Sequence, residues 1–432
     1  MRHPSLVAML AVPALAIPAA LAQPPARKAP PAAEASEVQG MSRERLARIA
    51  PAMRQQIEAN AFPGAVSMIS RNGEIVHFEA HGFRDQAKSK PMTRDVIFRL
   101  ASMTKPIVSV AAMMMIERGE LALHAPISRW LPELKDVKVE VRRVDKDGKE
   151  EVVDVPPARE ILVHDLLRHT AGFVYSGSTR SPRIKDAYEK ANIEAREADI
   201  TGEQMLKALG QIPLAHHPGT TWEYSIAVDV LGLLLERVAK RPLDQLLKEM
   251  LFDPLGMKDT AFWVPPEKQN RLAEAFDAEP QKAAMMKAYR ITTNPAGKSY
   301  FKGGAGLVGT AEDYMKFAQM VVNGGELGGR RFLSRKTVEF MLSNHIAGMG
   351  GSTSATTGPG YGFGLGFGIR LEAGMGVAPG SPGDAMWAGA WGTSFWIDPK
   401  ERLVGILMTQ APSKRFDTRM LMRHLAYGAL VN

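Results

Sequence analysis

Cysteine is absent from all 432 residues. That excludes disulfides, thiolate nucleophiles, Cys-ligated zinc, iron–sulfur clusters and a lipoprotein anchor, which needs a Cys at its cleavage point. No Gly-x-Ser-x-Gly elbow is present, against the usual α/β-hydrolase arrangement, and no His-Glu-x-x-His pair at zinc spacing. Blocks of one charge sign are also missing. The 54 Lys and Arg outnumber the 46 Asp and Glu, but the two signs are interspersed, so the formal charge of +8 does not mark a nucleic-acid partner. No internal repeat occurs. With 45% apolar and 23% charged residues, the remainder is an ordinary globular chain with material for a large core.

A long apolar run lies at the start. Arg2 and His3 precede an apolar stretch from Leu6 to about Ile17, and Ala20-Leu21-Ala22 offers small residues before Gln23. This is the grammar of a cleavable secretory signal over 1–22. Pro13 and Pro18 interrupt it, so removal is expected rather than a stable membrane anchor, and the mature chain is expected in the periplasm or outside the cell. Residues 23–39, rich in Pro and Ala, read as a linker.

From Arg43 to Asn60, Leu46, Ile49, Met53 and Ile57 recur at helical steps. The period then shortens. Ala65–Ser70 and Glu74–Phe78 flank Asn72-Gly73, which suits a two-residue hairpin turn. Near the other end, Ser394–Ile397 and Leu403–Thr409 flank Asp398-Pro399-Lys400-Glu401, and a helix follows from about Arg415. Hairpins at both ends predict an antiparallel sheet built from N- and C-terminal segments and flanked by helices. The middle reads mainly helical, with a charged strand pair at about 137–155 around Asp147-Gly148. One α/β plus all-α domain over 40–432 is expected, its α/β part at about 40–117 and 300–432 and its inserted helical part at about 118–299.

Several motifs are look-alikes. Gly304-Ala305-Gly306-Leu307-Val308-Gly309 fits the dinucleotide fingerprint, but no apolar strand precedes it. Gly297-Lys298-Ser299 ends like a phosphate loop, yet Thr292 stands where its first glycine belongs. His216 and His217 are adjacent and do not easily face one metal. No metal site and no cofactor are expected.

Ser102-Met103-Thr104-Lys105 is different. It opens a long apolar helical run, so Lys105 at i+3 sits beside the Ser102 hydroxyl. Pro106 falls in the first turn, where its missing N–H costs least. A serine hydroxyl becomes a useful nucleophile only when a neighbour takes its proton. The second Ser-x-x-Lys, Ser299 to Lys302, lies among Pro295, Gly297, Gly303 and Gly304 and has no helical support. Tyr224-Ser225 directly precedes an amphipathic helix, where a phenol can share a proton with Ser102 and Lys105. In Trp387-Ala388-Gly389-Ala390-Trp391, read as a strand, small residues let a substrate carbonyl approach. The N–H of Ala390 paired with that of Ser102 would form an oxyanion hole.

Taken together, these segments resemble the serine β-lactamase-like superfamily of penicillin-recognising hydrolases. "IFRLASMTKPI" (97–107), "ILVHDLLRHTAGF" (161–173), "PGTTWEYSIAVDVLG" (218–232) and "GGAGLVGTAEDYMKF" (303–317) carry the resemblance, which spans 40–432. It implies the serine β-lactamase or DD-peptidase fold, Ser102 as the acylated nucleophile, Lys105 as its proton partner and Tyr224 as general base. It also implies that His169 and Gly172 shape a turn near the site.

Two departures from the family pattern bear on substrate. Ile226 stands where Tyr-x-Asn usually places an amide donor, and Trp387 stands where penicillin-binding members carry a cation. Both point away from β-lactams toward neutral acyl substrates, as in the carboxylesterase branch. The expected activity is cleavage of small neutral esters through an acyl-enzyme, with Trp387, Gly389 and Trp391 binding the acyl group. The alternatives are a D-amino-acid peptidase or β-lactamase whose cation comes from Lys414 or Arg415, and a non-catalytic binding module on the same fold.

Overall fold

The computed structural model describes residues 36–432 other than 86, 195–199, 289–290 and 298. The leader expected at 1–22, most of the linker at 23–39, and Lys298 of the phosphate-loop look-alike therefore lie outside the described residues.

The predicted N-terminal helix is broken in two, Arg43–Leu46 and α1 (Ile49–Glu58). Pro51 supplies the reason. It has no N–H to return to the carbonyl of Ala47, so the ladder lapses there and restarts. Strands β1 (Gly64–Arg71) and β2 (Glu74–Gly82) follow, joined by Asn72 and Gly73 at φ +54° and +85°. Positive φ at both central residues is what a hairpin twisted in the right-handed sense requires.

Helix α2 (Thr104–Glu117) is buried over Thr104–Met115 and runs through the core against α3 (Ala227–Ala239). Shorter helices at Val163–Leu167, Pro182–Lys190, Gly202–Leu209 and Leu243–Leu247 fill the middle of the chain. The charged pair is present as Val139–Val144 with Glu150–Val155, a hairpin separate from the main sheet. Helix α4 (Ala311–Val322) packs on the sheet, where the Ser70 hydroxyl donates to Gln319 Oε1 at 2.5 Å.

Five more strands complete the sheet: β3 (Tyr361–Phe363), β4 (Gly368–Arg370), β5 (Ala385–Ala388), β6 (Ser394–Asp398) and β7 (Leu403–Thr409). The order is β3-β4-β5-β6-β7-β1-β2, every pair antiparallel. The two ends of the chain meet where β7 pairs with β1, from Leu403 opposite Arg71 to Thr409 opposite Ala65. Both strands are buried throughout, the polar Ser67, Ser70 and Arg71 of β1 included. Helix α5 (Arg415–Gly428) closes the chain against β7. Among the described residues no helix is long and apolar enough to cross a membrane.

Candidate active site

Ser102 lies one turn ahead of α2, in a short 3₁₀ segment, Ala101–Met103, that runs directly into it. Ala101 takes φ +46°, a left-handed conformation that costs a residue with a Cβ on the order of 1–3 kcal/mol and is held by its surroundings. Those surroundings are identifiable. The Leu100 N–H donates to Leu307 O at 3.0 Å, and the Tyr314 hydroxyl of α4 donates to Met103 O at 2.9 Å. The turn is thus pinned on both sides of Ser102.

The three residues singled out from sequence come together. The Tyr224 hydroxyl donates to Ser102 Oγ at 2.8 Å, and Lys105 Nζ stands 3.4 Å from the same oxygen. Lys105 is 1% exposed and Ser102 8%. Two further Lys105 partners escaped the sequence reading: Tyr175 Oη at 3.1 Å and the carbonyl of Gly304 at 2.7 Å. Nζ thus has three oxygen neighbours, Ser102 Oγ, Tyr175 Oη and Gly304 O, which fix where it stands beside the serine. Nζ also lies 4.8 Å from the centre of the Tyr224 ring.

Gly304 explains the glycine-rich look-alike at 304–309. Its N–H donates to Asp229 Oδ1 at 3.1 Å, and a Cβ there would fall 2.4 Å from Asp229 Oδ2. Only glycine lets this backbone lie against α3 and aim its carbonyl at Lys105. Val308 and Gly309 pair with Arg99 and Phe98, so the segment braces the Ser102 turn. The second Ser-x-x-Lys builds no comparable site, since the Ser299 hydroxyl donates to Ile200 O at 2.5 Å.

Tyr224 is held between rings. His169, Tyr175 and Trp387 lie at centroid distances of 5.0, 5.3 and 5.3 Å. His169 takes φ +58°, its carbonyl accepts from the Glu223 N–H, and its Nδ1 accepts from the Ser225 N–H at 3.3 Å. Burial, with Lys105 adding repulsion, pushes this imidazole well below its ordinary pKa and keeps it neutral. His169 therefore orients the Tyr224 segment through its backbone and ring. Just upstream, burial opposes ionisation of Asp165, but its bonds to Arg159, the Leu162 N–H and Thr170 outweigh this and hold its carboxyl below the usual range.

The Gly-rich segment near residue 390 departs from expectation. Ala390 is not on a strand: β5 ends at Ala388, and Ala390 sits in the turn before β6. The turn closes through the Gly389 N–H to Thr393 O at 2.8 Å, and the Thr393 hydroxyl donates to Leu100 O at 3.2 Å. A Cβ on Gly389 would lie 2.3 Å from Leu100 O, so this turn and the Ser102 turn are in direct backbone contact. Trp387 is 2% exposed and packs edgewise on Tyr224, while Trp391, 1% exposed, lies under the Arg99 guanidinium at 5.0 Å. The open cleft of about 1110 Å³ that reaches Tyr224 is walled instead by Ala215, Trp222 and Tyr224, with charge from Arg142, Arg180 and Glu223.

Of the cations considered from sequence, Arg415 reaches Gln281 Oε1 at 3.1 Å and Lys414 is exposed. The one that meets the 389–393 turn is Arg419, whose Nη2 donates to Gly389 O at 2.7 Å. It lies one helical turn beyond Arg415, a spacing that places it on the same face of α5. Among the described residues, one group has metal-ligand character, His77, Glu79 and His81 on β2. A search for helical zinc spacing misses it because its period is that of a strand.

The Beta-lactamase family model matches residues 49–429. Protein Rv1367c of Mycobacterium tuberculosis is 34% identical over 378 residues, covering 83% of this chain and 88% of that protein. Esterase EstB of Burkholderia gladioli is 31% identical over 380 residues, covering 84% and 90%. Among solved structures, EstCE1, titled a hydrolase with promiscuous acyltransferase activity, superposes with a TM-score of 0.74 at 29% identity, covering 90% of this chain and 99% of that one. With the antiparallel sheet, its flanking helices and the Ser102 turn in place, the chain belongs to the Beta-lactamase family and is an esterase-related serine hydrolase on the serine β-lactamase fold.

Proposed function

We propose that this protein hydrolyses small neutral esters in two steps through an acyl-enzyme on Ser102. The observation that carries the reading is the 2.8 Å contact between Tyr224 Oη and Ser102 Oγ, with Lys105 Nζ 3.4 Å from that oxygen. The pair acts one proton short, with Lys105 as the neutral amine, so that when Ser102 Oγ attacks the ester carbonyl carbon its proton has a place on the Tyr224–Lys105 pair. The pair returns that proton to the departing alkoxide, which leaves as the alcohol. Water then attacks the acyl-enzyme, loses a proton to the same pair, and the acid departs as Ser102 Oγ is reprotonated. The Ser102 and Ala390 N–H groups would steady the anionic intermediate, and the contact between their two turns supports this assignment.

Neutral substrates are favoured by what surrounds the pair. Ile226 is buried and offers no amide, and the Arg419 Nη2 that approaches the 389–393 turn is engaged by two carbonyls, Gly389 and Thr393. The esterase relatives support the same reading. With residues 1–22 removed as a leader, the enzyme would work in the periplasm or outside the cell.

The test compares turnover of short-chain nitrophenyl esters with turnover of nitrocefin. Ester rates well above nitrocefin rates are expected, with both lost in Ser102→Ala. Nitrocefin rates far above ester rates would overturn the ester reading in favour of a β-lactamase or D-amino-acid peptidase.

A further inference from the structure

Strand β2 carries His77, Glu79 and His81 at i, i+2 and i+4, so their side chains share one face. Across the ladder Ser67 stands directly opposite Glu79. Its hydroxyl oxygen lies 2.7 Å from His77 Nε2 and 2.8 Å from His81 Nε2. Ser67 and Ser70 are three apart on β1 and face opposite sides of the sheet, and Ser70 is the one bonded to α4. The cluster is therefore on the other face from α4 and takes no part in the site around Ser102.

With both Nε2 atoms turned to one serine, both Nδ1 atoms face Glu79, at 3.9 Å from Oε1 for His77 and 4.0 Å from Oε2 for His81. One ring nitrogen of each histidine and one Glu79 oxygen fall within 4.8 Å of one another. We propose that His77 Nδ1, His81 Nδ1 and the Glu79 carboxylate form a binding site for a divalent transition metal of borderline softness, Zn²⁺ foremost.

Two imidazoles and one carboxylate are a donor set that such ions favour. Metal bonds of about 2.0–2.2 Å are reached from the 3.9 and 4.0 Å separations between the Nδ1 atoms and the Glu79 oxygens by side-chain rotation. Ser67 fits the outer shell. With metal on both Nδ1 atoms each Nε2 carries its proton, and one hydroxyl oxygen accepts from both, fixing tautomer and ring orientation together. The imidazoles are in the ligating form: burial, with His81 and Arg94 adding repulsion, holds His77 down to about 4, and burial with Arg54 does the same for His81. Arg54 and Arg94 oppose a cation, and the Glu79 charge offsets them in part. The Glu79 side chain is 42% exposed, which gives an ion a way in from solvent and leaves coordination positions for water.

The test is Zn²⁺ binding to metal-free protein, measured by competition with a chromophoric chelator. One ion per chain is expected, weakened at least about tenfold in Glu79→Gln. It should be unaffected in His217→Ala, a control for adventitious surface binding. Affinity unchanged in Glu79→Gln, or lost in His217→Ala, would overturn the proposal. Because a buried-histidine variant can fail to fold, the second measurement uses the unmodified chain: anomalous diffraction at the zinc edge from crystals soaked in Zn²⁺. A peak between His77, Glu79 and His81 is expected, and a map with no peak there would leave a serine-bridged histidine pair and no metal site.

Discussion

Tyr224 Oη and Ser102 Oγ, 122 residues apart along the chain, lie 2.8 Å apart in the fold. Proton transfer by a positioned side chain is worth typically about 10²–10⁴ in rate. Tyr224→Phe should accordingly lower ester kcat by a factor in that range while the protein stays folded, because the ring packing with His169, Tyr175 and Trp387 is kept. Steady-state kinetics with a circular-dichroism control measures this, and kcat within threefold of the parent would contradict it.

Lys105 is positioned by two groups that are not part of the Ser-x-x-Lys motif, Tyr175 Oη and Gly304 O. Tyr175→Phe removes one acceptor and leaves the ring, so a stability loss of about 0.5–1.5 kcal/mol is expected with a larger proportional fall in kcat. Chemical denaturation and ester kinetics on the same preparation separate the two effects.

Gly304→Ala is expected to be worse. Its new methyl would meet Asp229 Oδ2 at 2.4 Å, and relief requires moving either α3 or the carbonyl that Lys105 uses. Overpacking of this kind costs about 1–3 kcal/mol. Lower thermal stability together with reduced kcat is the expected outcome, and an unchanged kcat would show that the carbonyl does not position Lys105.

These two partners mark the limit of what the sequence shows. The hairpin at Asn72-Gly73, the hairpins that bring the chain's ends into one sheet and the step from Ser102 to Lys105 were legible from local pattern, whereas the place of Tyr224 beside them followed from the family resemblance. The Gly304 carbonyl was not, since a backbone oxygen has no letter of its own and its role depends on the fit of residue 304 against Asp229. Tyr175 lies outside any helix or strand, so no period locates it. At Ala390 the run of small residues suits a strand and a turn equally, and the bond from the Gly389 N–H to Thr393 O decides for the turn. The break in the first helix was readable in principle from Pro51, but the apolar period across it is unbroken and masks it.

Stability should fall on mild acidification. Burial, ahead of nearby cationic groups, lowers His77, His81 and His164 from 6.5 to about 4. Between those values the three unfolded imidazoles bind protons that the folded ones do not, so they make stability rise with pH through this window and fall as pH drops through it, while Glu236, pushed up to about 7 by burial, works against them as one group against three. A fully buried ring contributes at most about 3 kcal/mol. Denaturant melts of metal-free protein from pH 7.5 down to 4 should show the midpoint dropping, and a flat profile across that range would contradict the burial of these rings.

The central claim is a covalent acyl-enzyme on Ser102, and the most direct measurement is peptide mapping of the adduct left by a fluorophosphonate ester. The expected result is one modification per chain, on Ser102, that blocks ester turnover and is absent in Ser102→Ala. Modification at another residue with loss of activity, or ester turnover that persists in Ser102→Ala, would contradict it.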